Sequence, residues 1–155
     1  MSNVLDDLSG IPGASKISNI PKTTVNVEEN IKTSPSSMLM ALYCTDGYFK
    51  GKTFIFPFSK SVYMGRSTNN NIVFPEESRG VSRRHLEVKA YASEETLCIK
   101  DLSTYGTYSV NKKRYDKDWF VKLKKGDTIF FGDDQSFEVT CVDNSVSGDS
   151  YIVVK

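Results

Sequence analysis

Cysteine and histidine are scarce in this chain, and their scarcity argues against most metal sites. The three cysteines, Cys44, Cys98 and Cys141, lie far apart, and His85 is the single histidine. Zinc sites in proteins usually draw on closely spaced pairs of such ligands. Because each cysteine lies in a strand-like run, we predict three small buried hydrophobic residues, with no metal or other cofactor.

The chain also lacks long apolar runs and a charge excess of either sign. No stretch approaches the roughly 18 apolar residues that span a bilayer, and the first residues lack the basic start and apolar run of a signal peptide. The formal net charge is +1, whereas domains that bind nucleic acid through overall electrostatics carry a marked basic excess. We therefore expect an intracellular protein without membrane or nucleic-acid partners, in which any anion specificity is local.

The sequence changes character near residue 37. Residues 1–37 contain scattered Gly, Pro, Ser, Thr and Lys with neither helical nor strand periodicity, so we predict a disordered tail. The remaining length suits one compact domain, residues 38–155. The chain stops directly after a strand-like run at residues 151–154, as though it were the amino-terminal part of a larger protein.

Short runs rich in β-branched and aromatic residues follow the tail. Turn residues such as Gly47 and Gly80 separate the runs, and no window of a dozen residues keeps helical periodicity. In the fifth run, Leu86, Val88 and Ala90 share one face and are predicted to point into the core. The pattern predicts an all-β sandwich. The runs lie at residues 38–44, 49–58, 61–64, 71–74, 84–91, 96–101, 107–111, 119–123, 127–131, 136–142 and 151–154.

The segment at residues 47–53, with the sequence GYFKGKT, has a superficial likeness to a nucleotide-binding P-loop. Only three residues separate its glycines where four are required, and a strand-like run follows where a helix should begin. We predict a hairpin turn at this position.

Three polar blocks combine groups that hold anions. They lie at residues 65–67, 82–85 and 103–107, each next to a strand-like run. Their guanidinium groups, hydroxyls and loop amides are the donors that bind phosphate in proteins. These blocks predict a protein that recognises phosphorylated partners.

In order and spacing, the same blocks resemble the signature of the forkhead-associated (FHA) domain, a phosphothreonine-binding β-sandwich. The resemblance covers about residues 38–155. It implies an FHA-like sandwich of about eleven strands in two sheets, which binds phosphothreonine-containing proteins or peptides and is not an enzyme. The matching segments are Gly65-Arg66, Ser82-x-x-His85, Asp101-Leu102-Ser103-Thr104-x-Gly106-Thr107 with Asn111 four residues later, and Lys125-Gly126-Asp127-Thr128-Ile129.

The resemblance implies two sets of site residues. His85 is expected to brace the loop that presents Ser82, rather than to act in catalysis. The residues expected to contact a phosphopeptide are Arg66, Ser82, Arg83, Thr104 and Tyr105, with Arg79 contacting peptide residues beyond the phosphothreonine. The residues expected to have a structural role are Gly65, His85, Gly106 and Asn111.

One position departs from the family pattern. The family usually has asparagine before the glycine of the third block, where its side chain grips the backbone of the bound peptide, and here that residue is Tyr105. A hydroxyl at the end of a rigid ring replaces a short amide, so we expect a weaker or differently shaped grip on the peptide.

The Tyr105-Gly106-Thr107 block is similar to the corresponding block in the FHA domain of a protein of double-strand-break repair. Checkpoint and meiotic kinases also carry amino-terminal FHA domains. The resemblance therefore implies DNA-damage, checkpoint or meiotic signalling. It also implies a nuclear location, or otherwise a cytoplasmic one. A kinase domain downstream in a larger parent protein is compatible with the resemblance.

Two other classes of function stay open. A phosphate-independent scaffold on the same fold would use a sandwich face or an exposed edge strand, and its binding would survive Arg66→Ala. An enzyme would pair Ser82 as nucleophile with His85 as base, although no carboxylate in the sequence is an obvious partner to orient the imidazole.

Several polar segments can be interpreted either as ordinary solvated surface or as functional sites. The basic runs at residues 112–114 and 122–125 could attract nucleic acid or an import factor, but short basic runs at strand ends are usually solvated surface, which is what we predict. Arg84 is ambiguous: it opens a strand-like run, where alternation is unreliable, and could simply face solvent.

In the tail, Thr23, Thr24, Thr33 and Ser34, which precedes Pro35, are candidate phosphorylation sites. A second copy of the domain would bind them, so self-association that depends on phosphorylation is a further hypothesis.

Overall fold

The computed structural model describes residues 38–92 and 94–155. These residues form eleven strands in two sheets and contain no helix. The predicted all-β sandwich of about eleven strands is therefore confirmed, while the predicted disordered tail, residues 1–37, lies outside the described residues. The strands are β1 (Met38–Asp46), β2 (Thr53–Ile55), β3 (Val62–Gly65), β4 (Ile72–Val73), β5 (Leu86–Tyr91), β6 (Thr96–Asp101), β7 (Thr107–Tyr108), β8 (Phe120–Leu123), β9 (Thr128–Phe131), β10 (Gln135–Asp143) and β11 (Tyr151–Val153).

The larger sheet has the strand order β11-β2-β1-β10-β9-β7, and the smaller sheet has the order β4-β3-β5-β6-β8. Because the described part of the chain holds no helix, it also holds none able to cross a membrane. Strands β1 and β10 pair antiparallel over almost their whole length and form the centre of the larger sheet.

Strand β1 shows how alternation builds the layers. Met40 and Leu42 are buried in the main core between the sheets. Leu39 and Ala41 point to the opposite face and form a smaller apolar cluster with Ile55. Successive side chains of a strand point to opposite faces, so an almost continuous apolar run indicates a strand that is covered on both sides.

The smaller sheet confirms two further predictions about the fold. Leu86, Val88 and Ala90 have no exposed surface and point into the core. The segment at residues 47–53 forms the hairpin turn between β1 and β2, where the amide of Gly51 donates to the carbonyl of Cys44 at 2.9 Å.

The cysteines agree with the prediction in two cases out of three. Cys44 and Cys98 are buried, whereas Cys141 is half-buried at the margin of the core, so the prediction of full burial is wrong there. Burial raises the pKa of Cys44 to about 11 and keeps its thiol protonated. Among the described residues, no cluster of His, Cys, Asp and Glu is arranged to hold a metal ion.

Candidate functional site

Loops from both sheets meet at one end of the sandwich and enclose a groove of about 640 Å³. Its walls come from the loop after β3, the loop between β4 and β5, and the loop between β6 and β7. All six residues that the sequence nominates for peptide contact line this groove, namely Arg66, Arg79, Ser82, Arg83, Thr104 and Tyr105.

Gly65 allows the first two loops to lie against each other. A Cβ atom at this position would lie 2.2 Å from the carbonyl oxygen of Arg83, so any side chain would collide with main chain. The amides of Arg66 and Ser67 donate to the carbonyls of Ser82 and Arg83, both at 3.0 Å. The absence of a side chain at Gly65 therefore lets the two loops pair through their backbones.

Arg66 follows β3 directly and presents its guanidinium to the groove. Its Nε donates to the carbonyl oxygen of Val81 at 2.5 Å, and its Nη1 donates to Oε1 of Glu76 at 2.8 Å. The side chain is 26% exposed. Because a guanidinium carries five N–H donors, donors remain for an anionic ligand after these two bonds are made.

Ser82 joins the second loop to the third. Its Oγ accepts a hydrogen bond from the main-chain amide of Thr104 at 3.0 Å. A hydroxyl has one donor and two acceptor positions, so this bond leaves the Ser82 proton free to donate to a ligand. The same bond holds Thr104 beside Ser82 on the wall of the groove.

His85 braces the loop that carries Ser82. The ring has no exposed surface and stacks on Phe131 with centroids 4.4 Å apart. Its Nδ1 accepts a hydrogen bond from the main-chain amide of Ser82 at 3.0 Å. The ring proton is therefore assigned to Nε2, which lies 3.2 Å from the carbonyl of Gly106 and from the hydroxyl of Thr107.

This environment keeps the imidazole neutral. Burial lowers the pKa of His85 to about 4, so the ring carries no charge at pH 7. Both ring nitrogens are engaged by partners other than the Ser82 hydroxyl. The hydrogen bond between nucleophile and base that an enzyme would need is thus missing between Ser82 and His85.

A buried carboxylate organises the third loop. Oδ1 of Asp101 accepts hydrogen bonds from the amide of Ser103 at 3.1 Å, from the hydroxyl of Ser103 at 2.6 Å and from the hydroxyl of Thr107 at 3.1 Å. The Ser103 hydroxyl in turn accepts from the amide of Gly106 at 2.7 Å. Since Thr104 and Tyr105 lie between these residues, the network sets the position of both.

Arg114 neutralises Asp101, and the prediction of solvated surface is wrong for this residue. Its Nε and Nη2 both lie 3.2 Å from Oδ2 of Asp101, whose side chain has no exposed surface. Nη2 also donates to the carbonyl of Ser103 at 3.2 Å. A buried carboxylate needs a countercharge, and the chain folds back over Asp101 to supply one.

Asn70 connects the first two loops of the groove through hydrogen bonds. This buried residue donates from Nδ2 to the carbonyl of Ser67 at 2.8 Å and to the carbonyl of Arg83 at 2.6 Å. The side-chain amide therefore supports the same backbone pairing that Gly65 permits.

Three further arginines border the groove. The guanidinium of Arg84 lies 4.1 Å from the centroid of the Tyr63 ring in a cation–π contact, and the residue is exposed to solvent. Strand β5 begins at Leu86, so Arg84 belongs to the preceding loop and the run predicted from residue 84 begins too early. Arg83 is exposed, and Arg79 Nε lies 3.4 Å from Oδ2 of Asp133.

Positive charge is concentrated at the groove, as the charged residues that line it show. Four arginines and two glutamates, Glu76 and Glu77, line it. The excess of two positive charges at this small site exceeds the net charge of +1 for the whole chain. The groove is therefore suited to anions although the protein as a whole is nearly neutral.

Tyr105 stands on the rim of the groove with 70% of its surface exposed. Its carbonyl oxygen accepts a hydrogen bond from the hydroxyl of Tyr108 at 2.9 Å. Beyond it the groove continues into a second depression of about 430 Å³, which Arg79 and Asp133 also line. Tyr105 lines both depressions.

The other residues expected to be structural differ in their surroundings. Gly106 has a φ of +105°, and a Cβ atom there would lie 2.9 Å from Nε of Arg114, so glycine suits this position. Asn111 is exposed in the turn after β7, where its amide donates to Oγ of Ser109 at 3.3 Å. Asn111 does not line the groove.

Sequence reasoning missed four residues that shape the site: Asn70, Glu76, Asp101 and Arg114. Asp101 lies in a matched motif, and an aspartate two residues before a serine is a local signal for the hydrogen bonds seen here. Nothing in the sequence separates Glu76 and Arg114 from other exposed charged residues. Their partners are ten and thirteen residues away across loops.

Comparison with known proteins identifies the family. A family model of the FHA domain matches residues 62–132. The FhaA FHA domain, solved in complex with the intracellular domain of a second protein, is 30% identical, and the match covers 64% of this chain and 98% of that chain with a TM-score of 0.52. The chain belongs to the FHA domain family.

Other FHA domains of known structure are similar. The FHA domain of a hypothetical protein of Arabidopsis thaliana is 27% identical, with a TM-score of 0.59 and coverage of 71% of this chain and 91% of that chain. A domain from a structural and functional analysis of phosphothreonine-dependent FHA interactions is 29% identical, with a TM-score of 0.53 and coverage of 66% and 95%. No curated protein shows a significant match. FHA domains are known for binding phosphothreonine peptides and are binding modules rather than enzymes.

Proposed function

We propose that this FHA domain binds phosphothreonine-containing proteins and mediates protein–protein interactions that depend on phosphorylation. The convergence of the Arg66 guanidinium and the Ser82 hydroxyl in one groove carries the proposal. A phosphothreonine bears about −1.5 to −2 charge at pH 7, which suits one guanidinium surrounded by neutral donors. A relative that is 29% identical comes from a study of phosphothreonine-dependent interactions.

Each residue of the groove has a role in this proposal. Arg66 and the Ser82 hydroxyl donate to the phosphate oxygens, with Thr104 lining the same pocket. Arg83 adds a second positive charge near the phosphate. Arg79 and Tyr105 contact peptide residues beyond the phosphothreonine, where the groove continues past the rim.

The strength of such binding follows from the number of contacts. Three or four charge-assisted hydrogen bonds contribute about 1.5 to 3 kcal/mol each, and association costs about 4 to 15 kcal/mol. At the favourable end of both ranges about 8 kcal/mol remains, which corresponds to a dissociation constant of about 1 μM and sets the upper limit of affinity for short peptides.

The first experiment is a titration with two peptide libraries. One library has a fixed phosphothreonine between degenerate flanks, and the other has unphosphorylated threonine in the same place. We expect micromolar binding to the first library alone, and a loss of at least tenfold for Arg66→Ala. The matched control is Lys124→Ala, which removes one exposed positive charge outside the groove.

Two results would contradict the proposal. Equal binding to both libraries would indicate recognition that ignores the phosphate. Binding that persists unchanged in Arg66→Ala would favour the phosphate-independent scaffold on the same fold.

The pathway is part of the proposal as well. We place the domain in DNA-damage, checkpoint or meiotic signalling in the nucleus, on the strength of the Tyr105-Gly106-Thr107 block. The test is to locate the tagged full-length protein and to compare, with and without DNA damage, the phosphothreonine peptides that it retains. A protein that stays outside the nucleus and retains the same peptides in both conditions would contradict this assignment.

Self-association through the tail is a separate part of the proposal. A phosphorylated threonine among Thr23, Thr24 and Thr33 would occupy the groove of a second copy. Sedimentation of the phosphorylated chain, with and without a phosphorylated tail peptide, tests this. A peptide that occupies the groove competes with the tail of a second copy, so it should dissociate any larger assembly. Phosphorylated chain that sediments as a monomer at high concentration would exclude self-association.

A further inference from the structure

The groove contains an acid that contacts the residue proposed to bind phosphate. Oε1 of Glu76 lies 2.8 Å from Nη1 of Arg66, and the two side chains are 78% and 26% exposed. Glu76 lies on the loop between β4 and β5, which also carries Ser82 and Arg83. The carboxylate is therefore placed where an anionic ligand would approach the guanidinium.

The two hydrogen bonds that the Arg66 side chain donates have different roles. The bond from Nε to the carbonyl of Val81 is part of the loop framework and holds the side chain in place. The bond from Nη1 goes to a side chain that is largely in solvent. An exposed ion pair of this kind costs little to break, so Glu76 can leave without disturbing the loop.

We propose that Glu76 is an intramolecular competitor for the anion site of the groove, because its carboxylate occupies Arg66 in the free domain and must be displaced by the ligand. This inference rests on the proposed function. An aspartate or glutamate of a peptide would exchange one carboxylate for another and gain little. A phosphate group brings about −1.5 to −2 charge and three acceptor oxygens, so it displaces Glu76 with a net gain.

Glu77 provides a matched control. It lines the same groove and is exposed, yet the ion pair with Arg66 is made by Glu76. Glu76→Gln and Glu77→Gln remove the same charge from neighbouring positions and keep the size of the side chain. A difference between the two variants therefore reports the contact with Arg66 rather than the general potential of the groove.

The experiment compares the wild-type domain, Glu76→Gln and Glu77→Gln on three peptide sets, with phosphothreonine, glutamate or threonine fixed between the same degenerate flanks. We expect Glu76→Gln to bind phosphothreonine peptides about two- to fivefold more tightly, as follows from the strength of an exposed ion pair. The same variant should gain by a similar factor for the glutamate peptides, because every ligand that takes up Arg66 bears the same free-energy cost of displacing Glu76. Glu77→Gln should show a smaller change in both.

The outcomes separate this inference from the proposed function. Phosphate-dependent binding with equal effects in the two variants, or with weaker binding in Glu76→Gln, overturns the role of Glu76 and leaves the function standing. Binding that is detected only in Glu76→Gln supports both. Absence of phosphate-dependent binding in all three proteins overturns the function and the inference together.

Discussion

The main-chain amide of Ser82 donates to Nδ1 of the buried His85 ring across 3.0 Å. The same serine accepts a hydrogen bond from the amide of Thr104 through its hydroxyl. Ser82 is thus connected to the core on one side and to the third loop on the other. His85, three positions away, does not line the groove and supports it from inside the sandwich.

Stability should depend on pH through His85. Its pKa is lowered to about 4 in the folded protein by burial, against 6.5 when the ring is exposed. The unfolded chain therefore binds more protons between these values, so the free energy of unfolding is highest above pH 6.5 and falls as the pH drops toward 4. The loss amounts to about 3 kcal/mol.

Urea unfolding at several pH values between 7.5 and 4 measures this loss. Because His85 is the only histidine, the variant His85→Gln isolates the contribution of the ring from that of the carboxylates. The wild-type protein should lose more stability than the variant across this range. Parallel curves for the two proteins would show that the ring is not desolvated as described.

Arg114→Ala should destabilise the fold because it leaves the Asp101 carboxylate buried without its countercharge. The expected loss is about 3 kcal/mol, at the lower end for a broken buried pair because Asp101 keeps three other hydrogen bonds. Chemical denaturation is the measurement.

Arg79→Ala is the control for this prediction, since it removes an exposed arginine whose pair with Asp133 should contribute only about 0 to 1 kcal/mol. Similar losses in the two variants would mean that the ion pair of Arg114 stabilises no more than a surface pair.

Gly65→Ala should disrupt the pairing of the first two loops. The added methyl group would lie 2.2 Å from the carbonyl oxygen of Arg83, so the backbone must shift. We expect a loss of at least about 2 kcal/mol of stability, together with weaker phosphopeptide binding because Arg66 and Ser82 move apart. Thermal unfolding and peptide titration measure the two effects.

Gly51→Ala is the matched control, because open space surrounds that position although its φ is +90°. It should lose some stability from backbone strain and keep its phosphopeptide affinity. If Gly65→Ala bound peptide as tightly as this control, the close approach at Gly65 would have no part in shaping the groove.

Ser82→Ala should weaken phosphopeptide binding while the fold persists. It removes both the proposed phosphate donor and the acceptor that holds the amide of Thr104. We expect a loss of at least tenfold, since tenfold corresponds to about 1.4 kcal/mol, close to the lower end of about 1.5 to 3 kcal/mol for one hydrogen bond to a charged group. Ser67→Ala removes a hydroxyl that bonds Asn69 and does not line the groove, so it serves as the control. Equal affinities for the two variants would remove Ser82 from the binding site.

Much of the fold and half of the site follow from local sequence. The alternation of Leu86, Val88 and Ala90 predicts a core-facing strand because a strand repeats every two residues. The groove residues Arg66, Ser82 and Thr104 are recognisable because they occur in motifs with fixed spacing. Loop ends are less predictable, as Arg84 shows, because turns and side-chain contacts decide where a strand begins.

What only the tertiary structure decides are the contacts between residues distant along the chain. The pairs Arg66–Glu76 and Asp101–Arg114 depend on how loops of different length cross, and no periodicity encodes them. The lowered pKa of His85 likewise depends on burial by residues from other strands, such as Phe131. Sequence alone determined the sandwich and the anion-binding chemistry of the three polar blocks, because these follow from strand periodicity and residue chemistry. Charge pairing and desolvation required the folded chain, because both depend on distances through space.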